Sequence, residues 1–268
     1  MERIQHPTLR KVRQQSFLLG LLVRRNIKNQ YYRSFIGVLW TVLNPLLNML
    51  VMWFVFSNIF GRDMVSNLPY PLYLLSGNII FAVMRGSTSS SLTCLVGQRD
   101  MLQKTRVSIT LFPTANVLSA LVTFGFSFIA LLLVAIILAC TGQFTFHWQI
   151  LLVIVLLPAL TLFSLGLSYF LGALYVFFRD LMHLYGVLLT LWTYLTPLFY
   201  TVDRLDERVG KIIAYNPMYH YVSYFRDALS GAVPGARELL ICYAFGVGAF
   251  LLGYAFLYAV RNRIAANL

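Results

Sequence analysis

Six apolar runs, at about residues 38–60, 71–94, 112–140, 149–176, 184–201 and 238–260, dominate this chain. Each comes close to the roughly 20 residues a helix needs to cross the hydrocarbon core of a bilayer. A backbone in lipid must satisfy its own polar groups, so such a series specifies an all-α integral membrane fold. Residues that are 59% apolar and 11% charged over 268 positions leave too little polar surface for a soluble globule. The expected plan is one transmembrane domain over 1–268: an interface segment 1–37, a six-span region 38–260 and a tail 261–268.

An even number of spans puts both termini on one side, and the cations choose which, because cytoplasmic loops concentrate Lys and Arg. Residues 1–36 hold eight cations against Glu2. Arg99, Lys104 and Arg106 against Asp100, Arg179 against Asp180, and Arg261 and Arg263 bring that side to 14 cations and three acids. Opposite loops balance, with Arg62, Arg204, Arg208, Lys211, Arg226 and Arg237 against Asp63, Asp203, Asp206, Glu207, Asp227 and Glu238. Both termini are therefore expected in the cytoplasm. Topology plus an intramembrane Arg85 accounts for the net charge of +12, so no nucleic-acid partner is invoked. The first 36 residues lack the apolar core and small-residue site of a cleavable signal peptide. Cys94, Cys140 and Cys242 have no paired spacing and the four histidines are scattered, so no metal site is expected. A Cys140–Cys242 disulfide and free buried thiols are the two readings of the cysteines, and free thiols is adopted.

Leu19, Val23, Ile27 and Tyr31 recur at intervals of four beside Arg25, Lys28 and Arg33, the pattern of a basic amphipathic helix lying in the membrane interface. A plain positively charged anchor fits equally well. A mechanical role gains support because Ser34 to Gly37 leads into the first span without a linker. Inside that span Thr41, Asn44 and Asn48 share a face beside Pro45, which frees a carbonyl and kinks the rod. The face is expected to meet protein or a wet path, although interhelical hydrogen bonding alone would explain it. The second span carries Asn78, Arg85 and the run Gly86-Ser-Thr-Ser-Ser-Ser91, too polar to face lipid all round. Close helix packing is expected of the serines, and a cavity, a partner or the inner interface of Arg85.

Between the last two runs, Asn216-Pro217 reads as an N-cap with Pro at N1, and Gly231 lies just past a helix expected over 217–229. Its face is Met218, Tyr221, Val222, Phe225 and Leu229, and its roughly 20 Å is too short to cross. Leu205, Val209 and Ile212 indicate a shorter amphipathic helix before it. Together they make a re-entrant hairpin able to close a pore, or else a peripheral lid. Trp192, Tyr194, Phe199 and Tyr200 gather around Pro197; their flat faces and polar tips suit a sugar path, while an ordinary interfacial belt is the simpler reading of each residue by itself.

The blocks RRNIKNQYYRSFIGVLWTVLNPLL, YLLSGNIIF, VGQRDMLQK, VLSALV, FFRDL, LTPLFY and NPMYHYVSYFRDAL occur in that order between about residues 17 and 230. Their order and spacing resemble ABC-type polysaccharide export permeases of the type-2 transporter superfamily, such as O-antigen and teichoic acid exporters. The resemblance implies a homodimer of six-span subunits in the bacterial plasma membrane, two copies of an ATP-binding subunit, and a lipid-linked polysaccharide as cargo. ATP and Mg would sit on the partner, none on this chain, which has no Gly-x-x-x-x-Gly-Lys-[Ser/Thr]. By the resemblance, Arg25, Lys28, Gln98, Arg99, Asp100, Lys104, Arg179 and Asp180 would couple to the ATPase. Asn216, Pro217, Tyr221, Phe225, Arg226 and Asp227 would form the outer gate. Asn44, Asn48, Asn78, Arg85, Trp192, Tyr194, Phe199 and Tyr200 are the candidate path. Relatives commonly follow the loop lysine with a Phe-Pro-Arg-Glu-like sequence; here Lys104 precedes TRVSITLFP, which bears on ATPase docking.

Two other readings stand beside this one. A small-drug or lipid exporter on the same fold would need a narrower, more apolar seam than the Asn, Ser and aromatic residues provide. A membrane enzyme acting on a lipid-linked sugar would need paired carboxylates or a metal. The one acidic cluster, Asp203, Asp206 and Glu207, is better read as a solvated helix start.

Overall fold

Backbone that cannot reach water must bond within its own segment, and the chain meets this requirement with helices. The computed structural model describes residues 7–31, 37, 39–60, 68–104, 107–202 and 206–267, and the regular elements among them are helical. In chain order they are α1 (Pro7–Tyr31), α2 (Leu39–Phe60), α3 (Tyr70–Leu92), α4 (Cys94–Gly97), α5 (Arg99–Lys104) and α6 (Leu111–Cys140). A 3₁₀ turn (Trp148–Leu152) leads into α7 (Val153–Phe177), followed by α8 (Leu181–Leu195), α9 (Glu207–Ala214), α10 (Pro217–Leu229) and α11 (Ala236–Asn267).

Four helical stretches among the described residues are long and apolar enough to cross a membrane: Leu39–Phe56, Leu111–Cys140, Trp148–Phe177 and Ala236–Ile264. The other two expected spans differ for separate reasons. Helix α3 has 23 residues, enough length, but its polar run dilutes it, and it is shielded by α2, α6, α7 and α10. Helix α8 has only 15 residues, where 184–201 was expected. It ends because Thr196 precedes Pro197, and the proline ring drives the preceding residue out of helical geometry. Thr196 accordingly has φ −91° and ψ 126°.

The most extensive helix pair is α7 with α11. Gly166 and Gly253 meet backbone to backbone there, and Gly246 lies against the Ala159 carbonyl. A side chain at these glycines would force the two rods apart. One end of the bundle is held by Leu22, Leu95, Leu111, Phe112, Val176 and Ile264, which brings α1, α4, the start of α6 and the ends of α7 and α11 together. Leu68, Tyr70, Phe144, Ile150, Leu198 and Met218 lie in the larger cluster that extends to the opposite end.

Several local expectations change. Helix α1 packs on α6 through buried Leu22, with Leu18, Leu19 and Val23 beside it, while Phe17 and Leu21 are exposed. Gly37, the last residue of the segment expected to lead into the first span without a linker, adopts φ +53° in a turn; Arg33 and Ser34 to Ile36 lie outside the described residues. On α9 the buried residue is Ile213, and Val209 and Ile212 are exposed; Leu205 lies outside the described residues. The cysteines are free, yet Cys140 is exposed and only Cys242 is fully buried. Of the polar run, Ser87, Thr88 and Ser91 are packed as expected, whereas Gly86, Ser89 and Ser90 are exposed.

Candidate functional site: a polar groove along the central helix

Helix α3 leaves one face uncovered, and it is polar. Asn78, Ala82, Arg85, Gly86, Ser89 and Ser90 follow at helical spacing along it, while Ile79, Ile80, Phe81, Val83 and Met84 are buried. Three adjoining open cavities of about 470, 410 and 410 Å³ run beside this face. The first is lined by Asn26, Asn29 and Gln30 of α1 and by Asn116, Ser119, Thr123 and Ser127 of α6. The second adds Trp40, Thr41, Asn44, Pro45 and Asn48 of α2 with Asn78 and Arg85. The third reaches α8 and the turn after it, through Thr190, Thr193, Tyr194 and Phe199.

Hydrogen bonds tie these walls together. Asn26 Nδ2 donates to Asn116 Oδ1 (2.9 Å), and Asn116 Nδ2 donates to the Ser90 carbonyl (3.0 Å), linking α1, α6 and α3. Asn48 Nδ2 donates to Asn44 Oδ1 (3.0 Å), so the α2 amides form a pair at one height. Arg85 Nη2 donates to Thr193 Oγ1 (2.9 Å), bridging α3 to α8. The lining offers amides and hydroxyls that both donate and accept, with aromatic faces from Trp40, Phe124, Tyr194 and Phe199. Such a surface suits molecules with many hydroxyls and apolar C–H faces.

The groove thus brings together Asn44, Asn48, Asn78, Arg85, Tyr194 and Phe199. It does not bring in Trp192 or Tyr200. Trp192 donates its Nε1–H to Asn216 Oδ1 (2.8 Å) and meets Phe163 edge to face. Tyr200 donates to the Tyr194 carbonyl (2.7 Å), and its own carbonyl accepts from Tyr73.

At the end built on Leu22 and Ile264, Arg25 Nη1 donates to Gln98 Oε1 (3.4 Å), joining α1 to the turn before α5. Lys28, Arg99, Asp100 and Lys104 are exposed beside this contact. Asp100 sits in the first turn of α5 and Lys104 in its last, the arrangement the helix dipole favours. Arg179 lies 5.8 Å from the Tyr175 ring, and Asp180 starts α8 with its carbonyl accepting from Leu184 N (3.2 Å).

At the opposite end α10 is sunk into the bundle. Asn216 makes every hydrogen bond its amide allows: Oδ1 accepts from Met218 N (3.1 Å) and Trp192, and Nδ2 donates to Thr196 Oγ1 (2.9 Å) and the Leu195 carbonyl (3.3 Å). It caps the start of α10 and the end of α8 at once. Pro217 opens α10, whose face Met218, Tyr221, Val222, Phe225 and Leu229 is fully buried, and Gly231 at φ +82° ends it where the His147 ring leaves no room for a Cβ. Arg226 is buried too: Nη1 donates to the Pro197 carbonyl (2.8 Å), Nη2 to those of Tyr73 and Leu198 (both 3.1 Å), and the guanidinium stacks on the Tyr73 ring at 3.5 Å. Asp227 is half-buried, its carbonyl accepting from Ser230 Oγ and Ala232 N.

The pattern of the ABC-2 type transporter matches residues 18–229, most of the chain. This chain belongs to the ABC-2 type transporter family. It is 32% identical over 243 residues to the O-antigen export system permease protein RfbA of Myxococcus xanthus, covering 89% of this chain and 90% of that protein. The RfbA protein of the same description from Klebsiella pneumoniae is 25% identical over 94% of this chain and 95% of its own length. The polysialic acid transport protein KpsM of Escherichia coli is 19% identical over 92% of this chain and 95% of its length.

In this ABC-2 family subunit, several lining residues escaped the reading of the sequence. Asn116, Ser119, Thr123 and Ser127 fall at intervals of three and four inside the third apolar run, a stripe that helical periodicity exposes. Ala159/Gly166 and Gly246/Gly253 share a spacing of seven, which marks the α7–α11 contact. Asn26, Asn29 and Gln30 also share a helical face, but in a segment already rich in polar residues that spacing singles out nothing, and only the packing of α1 on α6 turns them toward the groove.

Proposed function

We propose that this chain is the membrane permease subunit of an ATP-driven exporter that moves a lipid-linked polysaccharide from the cytoplasm across the plasma membrane. The observation that carries this reading is the polar groove along α3, running among helices of membrane-crossing length in an ABC-2 family chain. The activities for which the relatives are named, O-antigen export and polysialic acid transport, supply the class of cargo.

In this reading α2, α3, α6, α7, α8 and α11 are the six spans, with α3 tolerated because neighbours shield it and α8 crossing short. Both termini lie in the cytoplasm, the side to which the excess of cations assigns the α1 and α5 end. Helix α1 lies in the interface, and α9 with α10 forms the outer hairpin. The groove is open along its length, and a second copy of the chain would close it into a path. Two ATP-binding subunits would dock on α1, α5 and the Arg179–Asp180 turn and carry ATP and Mg. Their closure would act on the Arg25–Gln98 contact and shift α1 and α2 against α3. Coupling of this kind requires the partner to contact two forms of the permease differently.

The test is purification of the tagged chain in mild detergent, then reconstitution into vesicles. Two ATP-binding subunits per two copies of the chain, with ATP-dependent movement of a polyprenyl-pyrophosphate oligosaccharide across the vesicle, is the expected result. A chain that purifies alone and moves nothing when ABC-type ATP-binding subunits are added would overturn it.

A further inference from the structure

The two partly or fully enclosed arginines are treated in opposite ways. Arg226 is sealed: two of its nitrogens donate to three carbonyls and a ring covers its face. Arg85 is open. It lines the second and third cavities, gives one hydrogen bond to Thr193 Oγ1, and rests with Cζ 5.1 Å from the Phe81 ring centroid. A guanidinium has five N–H donors. Among the described residues no carboxylate forms an ion pair with Arg85, and no lining residue of the three cavities is acidic.

A single cation at membrane depth is costly unless an opposite charge joins it. Thr193 and Phe81 fix the position of the guanidinium while its remaining donors face the groove. A planar fork held in this way matches two oxygens of a phosphate or carboxylate. Among the described residues, the first cavity by contrast is lined by no charged side chain, only by amides, hydroxyls and apolar groups. The groove therefore offers hydroxyl recognition over most of its length and positive charge at one height.

We infer that Arg85 is an anion-binding site that takes a phosphate or carboxylate group carried by the transported molecule. The inference rests on the export reading. The group has two sources, the phosphate joining glycan to lipid and an acidic sugar in the repeat, and both present the same pair of oxygens.

The full chain, purified with its ATP-binding partner in lipid nanodiscs, is titrated with three probes. They are a neutral oligosaccharide on polyprenyl pyrophosphate, the same oligosaccharide free, and a free oligosaccharide containing uronic acids. Arg85→Gln is expected to weaken an anionic probe about tenfold or more, the scale of a lost charge-assisted hydrogen bond. The free neutral probe should be unaffected, and Arg85→Lys should fall between. Loss confined to the pyrophosphate probe assigns the linker; loss with the uronic acid probe assigns the repeat. Equal affinity of wild type and Arg85→Gln for both anionic probes overturns the anion site and leaves the export reading standing. So does an equal loss for the neutral probe, which would mean a distorted groove. A wild-type complex that binds none of the three overturns both readings.

Discussion

Gly77 leaves the space that Arg226 occupies: a Cβ on Gly77 would stand 2.6 Å from Arg226 Nη2 and 3.2 Å from Leu198 Cδ2. One small residue on α3 thus admits the side chain that ties α10 to the turn after α8. Gly77→Ala is expected to destabilise the protein by about 1–3 kcal/mol through overpacking. Arg226→Met should cost about 3 kcal/mol or more, because the carbonyls of Tyr73, Pro197 and Leu198 lose their donors in a buried place. Thermal unfolding in detergent reads both; two unchanged midpoints would mean that the contact does not hold the native state.

Asn216 and Tyr194 separate stability from passage. Asn216→Ala removes the α10 cap and the partners of Trp192 and Thr196, and a loss of about 1–3 kcal/mol is expected. Trp192→Ala, which empties a packed site against Phe163, should likewise lower the unfolding midpoint. Tyr194 is exposed to the third cavity, so Tyr194→Ala should leave the midpoint unchanged and reduce oligosaccharide movement in vesicles. The reverse pattern would place Trp192, and not Tyr194, on the path.

Where Gly166 meets Gly253, the α7–α11 contact leaves no room for a side chain. Gly253→Leu, directed at the Gly166 backbone, is expected to prevent assembly of the bundle, seen as loss of the detergent-soluble peak. Gly248→Ala, where a Cβ meets nothing within 4 Å, should be tolerated on the same helix.

Exposed charges at the α1 and α5 end allow a test of coupling without damage to the core. Arg25→Glu and Arg99→Glu should each reduce the amount of ATP-binding subunit that purifies with the chain and the ATP hydrolysis of the complex. Membrane insertion and the unfolding midpoint should stay within error, since both residues are exposed. Unchanged recovery and hydrolysis would move the docking surface elsewhere.

Local chemistry made much of the fold legible. Asn216-Pro217 and Gly231 bracket α10 as expected over 217–229, because caps and a positive-φ stop act through neighbours only a few residues away. The apolar runs located α2, α3, α6, α7 and α11 for the same reason. The early end of α8 was also written locally, in Thr196-Pro197, and the four-residue rhythm of polar groups on α6 was there to be read.

What sequence alone determined is a helical membrane protein of the ABC-2 family with one end rich in cations. What only the tertiary structure decided is which polar groups are sealed and which are open. Arg85 and Arg226 are the same letter in the sequence, yet one lines a groove and the other is enclosed by three carbonyls and Tyr73. Likewise Asn116 belongs with Asn26 only because α1 lies across α6. Helix formation is set by bonds within a segment, whereas exposure depends on which faces distant helices cover, and that follows from close approaches such as Gly166 on Gly253.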